Sequence, residues 1–241
     1  MAVKNFRGIV RHQASVLEKA VNCLIPTFGN TGWLGKLKGA AEDIRCNCSG
    51  NDWAVNIEDM ELPIDNPKHL EPHTLNNNLK LFVSISMEGS GELWKEGKDC
   101  IKSLRFTVRV KEKYQKDDQH SFQTGFHIDK VGKKDDSSEM HPLYHVHFLN
   151  ESCIDGIMPL SMDVPRLMHH PVDALLGLLL VFANYHKDGY KKLTSNGNFM
   201  SLCRESAKHI LVPYYTSLSK VPWTEGFVSD YDKLLCPYLT A

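Results

Sequence analysis

The stretch MHPLYHVHFLN, residues 140–150, holds three histidines, His141, His145 and His147, in a run that is otherwise β-prone. Side chains two apart on a strand share a face. In an extended run His145 and His147 therefore point the same way, and His127 and Asp129 repeat that spacing upstream in SFQTGFHIDK. If the two runs pair as neighbours, the four side chains converge on one patch, which Arg105, Arg109, Lys111 and Gln123 extend across the sheet. Seven of the twelve histidines lie between residues 120 and 170, so imidazole chemistry is concentrated here.

Three readings fit such a patch. In the first, a divalent metal is held by His127, His145 and His147, with Asp129 as a carboxylate ligand; imidazoles and a carboxylate supply three or four ligands at about 2 Å. In the second, no metal is needed: one histidine accepts a proton while another donates, and Arg105 or Arg109 stabilises a phosphate. The third is a solvated sheet face with incidental histidines. On a catalytic reading the working residues are His127, Asp129, His145 and His147. As polar-face residues, His145 and His147 are expected to tolerate replacement by Ala with little loss of stability.

A second constellation is DVPRLMHHPVDALLG, residues 163–177. Arg166, His169 and His170 precede an expected helix start at Pro171, with Asp173 in the first turn. Free N–H groups and the dipole make a helix N-terminus favour anions. The functional reading folds Arg166 with His169 or His170 over the sheet patch to complete an anionic pocket. The plain reading pairs Arg166 with Asp163 or Asp173 in an ordinary loop.

These residues need elements to position them. Apolar residues at spacings of three and four over residues 6–25 predict a helix, which Pro26 is expected to end. Glycines 29, 32, 35 and 39 suggest a phosphate loop, but Asn30 stands where that motif needs its first glycine and Leu37 replaces the hydroxyl. A loop and a short helix are expected there instead, and residues 57–78 read as irregular. From residue 79 the period is two: Leu79 to Met87, Leu104 to Val110, Phe122 to Ile128 and Tyr144 to Phe148 form four half-buried strands. The short charged connections suit an antiparallel meander. Helices are expected from Pro171 to about residue 186, ending before Gly189, then over 198–219 with a perturbation at Pro213, and near 228–235. The first of these is apolar on nearly all sides, and Leu176, Leu179, Leu180 and Phe182 are expected inside.

The fold class is therefore α+β: a mostly antiparallel sheet of about four strands, one face packed by C-terminal helices with an N-terminal helix added. Residues 1–78 form a helix and an irregular segment, and 79–241 the sheet and C-terminal helices, together one compact domain. A formal net charge of -1 gives no global reason to bind nucleic acid or membranes. ALLGLLLVFANY, residues 174–185, is too short for a span of about 20 apolar residues, so no membrane is expected. The N-terminus does not read as a signal peptide. Seven scattered cysteines leave one thiol over in any full pairing, which favours a reducing cytoplasm. Cys46 and Cys48 lack a second pair at zinc-site spacing.

HPLYHVHF followed by PRLMHHPVDALLGLLLVFANY resembles poorly characterised bacterial proteins with an HPxxHxxF strand and a PRxxHxPxD helix start, found near toxin–antitoxin or phage-defence genes. The likeness covers about residues 121–186. It implies an intracellular bacterial effector or accessory role and assigns no catalytic residue. The expected function is action on an anionic ligand, a nucleotide or RNA, as a phosphoesterase or nuclease. The alternative is a non-catalytic subunit that docks a protein partner through the same face.

Overall fold

Alternating burial builds the sheet. The computed structural model describes residues 6–46, 52–64, 79–113, 121–130, 143–152 and 167–219. The expectations for Arg166, His141, residues 65–78 and a helix near 228–235 lie outside the described residues. Strands β1 (Asp52–Leu62), β2 (Lys80–Ser90), β3 (Ile101–Lys113), β4 (Ser121–Lys130), β5 (Tyr144–Ser152) and β6 (Leu167–Met168) lie side by side in chain order, every neighbouring pair antiparallel. The α+β meander is thus as expected, but the sheet has six strands rather than four. Of the two additions, β6 is only two residues long. The other, β1, runs into the stretch read as irregular, and its apolar parity slips: Trp53, Val55 and Ile57 are buried, then Met60 and Leu62. Ile57 pairs with Ile85 and Met60 with Val83, so Glu58 and Asp59 together oppose a single residue of β2. This is a β-bulge, and Asp59 takes the left-handed region at φ 43°.

One face of the sheet is apolar and carries the helices. Leu81, Val83, Ile85, Leu104, Phe106 and Val108 are buried on it. Helix α4 (Ala174–Tyr185) comes close enough that a Cβ on Gly177 would stand 2.2 Å from the Phe106 ring. The same approach fixes the helix's inward side. Ala174, Leu175, Leu178, Val181 and Phe182 are buried with Gly177, whereas Leu176, Leu179 and Leu180 are only half-buried. The expectation for these three leucines is therefore corrected. A helix apolar all round does not encode its own rotation, and the side without a Cβ is the one that reaches the sheet.

Helices α1 (Phe6–Phe28), α2 (Gly32–Cys46), α5 (Lys187–Ser195) and α6 (Gly197–Ser219) complete that layer, and a short α3 (Gly91–Lys95) lies between β2 and β3. Pro26 falls inside the last turn of α1; the stop is Gly29, at φ 75°, whose N–H donates to the Ile25 carbonyl at 2.8 Å. Gly189 does not break a helix either. The break is at His186, which caps α5 by accepting the Gly189 N–H on Nδ1 at 3.0 Å. Asp173 is the N-cap of α4 rather than a first-turn residue; its Oδ1 accepts the Leu176 N–H at 2.9 Å and Ser206 of α6 donates to its other oxygen. Phe28 stacks on Phe182 at 4.8 Å between ring centroids, with Trp33 at 6.0 Å from Phe182, which ties α1 and α2 to α4.

A buried ion pair lies beneath this layer. Lys130 Nζ is 2.8 Å from Asp99 Oδ2, and Tyr144 donates its hydroxyl to the same oxygen at 2.8 Å. Lys130 also donates to the Ile101 carbonyl, and Ser217 of α6 accepts the Asp99 N–H at 3.0 Å. Burial, then the Asp99 charge, push the Tyr144 hydroxyl well above its usual range. Among the described residues no helix is long and apolar enough to cross a membrane.

Candidate functional site

The second face of the sheet carries the polar parity. Cross-strand pairing arranges it in rows: Ser86, Arg105, Asp129 and His145; then Thr107, His127 and His147; then Phe82, Arg109 and Gly125. The spacing of two in β4 and β5 thus places His127, Asp129, His145 and His147 on adjacent strands and one face.

The side chains meet. His127 Nε2 is 3.0 Å from Asp129 Oδ2 and 3.2 Å from His147 Nδ1, with the two rings nearly perpendicular at 84°. A lone pair on His127 Nε2 would face the carboxylate, so that nitrogen bears the proton and donates to Asp129. His147 Nδ1 then lies on the acceptor side of the same N–H. Arg105 Nε stands 3.4 Å from Asp129 Oδ1. The result is a chain, Arg105–Asp129–His127–His147. The chain joins the two imidazoles to one carboxylate rather than leaving them as separate groups.

Burial raises the Asp129 carboxyl, but the His127 hydrogen bond and charge, with Arg105, more than offset it, and the group is held below its ordinary range. A carboxyl lowered in the folded state contributes stability above its unfolded value near 3.9 and loses it as pH falls through the folded value. Asp129→Asn should therefore lower the urea midpoint at about pH 7, and the gap to wild type should close as the pH is taken to about 3. A gap of the same size at both pH values would show that the carboxylate charge is not what matters.

The polar face is not uniformly open. His127 is 8% exposed and His145 5%, where parity alone leaves open whether this face is turned outward or lines a cleft. His145→Ala should therefore cost stability, unlike the neutral replacement expected from parity alone. Arg105 remains mostly exposed. Arg109 is paired with Asp59, a residue the apolar pattern of β1 conceals and which the slip between Ile57 and Met60 could have revealed. His169 and His170 lie at the β6 edge, just past Met168, the cross-strand partner of His145. Their rings stack at 4.3 Å, and His169 Nδ1 is 2.6 Å from the His170 carbonyl. Arg166 is outside the described residues, and with it the pocket expected from these three. Among the described residues, no group of three or more His, Cys, Asp or Glu side chains is arranged to hold a metal ion.

No family model matches this chain, and neither a curated protein nor a solved structure resembles it significantly.

Proposed function

We propose that this protein acts in a bacterial cytoplasm on the phosphate of a nucleotide or RNA, through the face that carries Arg105, Arg109, His127 and His147. The observation that supports this most is the contact at 3.2 Å between His127 and His147, set in orientation by Asp129. An oriented imidazole beside guanidinium groups is suited to binding a phosphate and to moving one proton at its oxygen, the work of a phosphoesterase or nuclease. His147 is the residue that exchanges the proton, and His127 and Asp129 position it. The sequence likeness to proteins found near toxin–antitoxin or phage-defence genes agrees with an accessory role in such a system.

The test is fluorescence anisotropy with a short labelled uridine oligoribonucleotide, followed by gel analysis of the same RNA with and without divalent metal. His147→Ala and Arg105→Ala should each weaken binding by about tenfold, the scale of one charge-assisted hydrogen bond. Unchanged affinity in both variants would remove the phosphate reading.

The second reading is a docking subunit. Phe148 and Leu167, which share one parity where β5 meets β6, are about half exposed, an apolar patch suited to a protein partner. Co-purification with a partner that Phe148→Asp releases, while His147→Ala does not, would favour it.

A further inference from the structure

Asp59 stands where an anion would be expected. The bulge in β1 turns it onto the polar face, where it forms an ion pair with Arg109. Its left-handed backbone is held by two side chains. Ser84 Oγ accepts the Asp59 N–H at 3.0 Å, and Lys36 of α2 donates to the carbonyls of Glu58 at 2.6 Å and Asp59 at 2.9 Å. Ser84 also donates to the carboxylate at 3.2 Å. A backbone conformation that most residues avoid is thus stabilised so that one carboxylate is aimed at one guanidinium.

Arg109 is two residues from Thr107 on β3, and Thr107 is the cross-strand partner of His127. The partner of Arg109 is Gly125, so no β4 side chain stands beside it on this face. A Cβ there would come within 2.0 Å of the Val108 carbonyl oxygen, which keeps the position glycine. Both arginines of the face are held by carboxylates, but unequally. The Asp129 side chain is 17% exposed and committed to His127, whereas that of Asp59 is 59% exposed. Carboxylate and phosphate offer a guanidinium the same two-oxygen geometry, so one can replace the other.

We propose that Asp59 is a built-in competitor for the ligand: its carboxylate occupies Arg109 until a phosphate-bearing ligand on the His127–His147 face displaces it. This regulation rests on the phosphate reading above. Asp59→Asn keeps a residue that tolerates the left-handed backbone, and frees Arg109. In the full-length protein it should tighten binding of the labelled uridine oligoribonucleotide by about three- to fivefold at fixed ionic strength, the scale of an exposed ion pair. Arg109→Ala should weaken binding and abolish the gain from Asp59→Asn. Glu61→Gln, which removes an equal charge from the same strand, should change affinity less than Asp59→Asn. No gain from Asp59→Asn, or an equal gain in the Arg109→Ala background, would overturn the competitor role while leaving the phosphate reading intact. Absence of RNA binding by wild type and by every variant would overturn both.

Discussion

Asp99→Ala should unfold at a much lower urea concentration than wild type, with a loss of about 3–5 kcal/mol. The change removes the carboxylate that faces the largely covered Lys130 and accepts from the buried Tyr144. The lysine ammonium would then be left with the Ile101 carbonyl and the face of the Tyr144 ring in a largely buried region. Removing one partner of such a pair costs far more than the pair itself contributes, because an uncompensated charge stays buried. The double variant Asp99→Leu/Lys130→Met should recover much of the loss. If it were as unstable as the single variant, the damage would come from packing rather than from the stranded charge. Equilibrium urea titrations, compared at equal m, separate the two.

The other large effect is expected at Phe182. Its side chain is fully buried, stacked on Phe28 and near Trp33, so Phe182→Ala should cost about 3–5 kcal/mol. Leu179→Ala, on the half-buried side of the same helix, should cost about 1 kcal/mol. The pair tests the rotation of α4 directly. Equal losses would mean that Leu179 is as deep as Phe182, and the packing of Gly177 on Phe106 would have to be abandoned.

That rotation is also where the sequence is least explicit. Period-two alternation in β2 to β5 specifies both the strands and which residues share a face, because one parity is apolar and the other polar in every one of them. It therefore foresees that His127, Asp129, His145 and His147 lie together. It does not foresee the Arg109–Asp59 pair, since the bulge shifts parity inside β1 and disguises a strand as irregular chain. Nor does it foresee how deep His127 and His145 lie, because parity assigns a side but not its cover. In α4 the run ALLGLLLVFANY has no polar face to orient it, and only the closeness of Gly177 to Phe106 selects the inner side. The capping roles of His186 and Asp173 are local, each accepting the N–H three residues on, but the apolar run between them has no periodicity to mark its first and last helical residues.

The chain-order sheet and the Phe28–Phe182 stack together have a consequence for synthesis. Each strand of the meander finds its neighbour soon after it is made, so the sheet can form hairpin by hairpin. Helices α1 and α2 come first, yet their aromatic partner on α4 is translated only about 150 residues later, an interval of roughly 8 to 30 s at ribosomal rates. During that interval Phe28 and Trp33 lack the surface that buries them. The packing of α1 and α2 is thus completed only when α4 has been made, so the N-terminal end of the chain is the last part of the helical layer to settle.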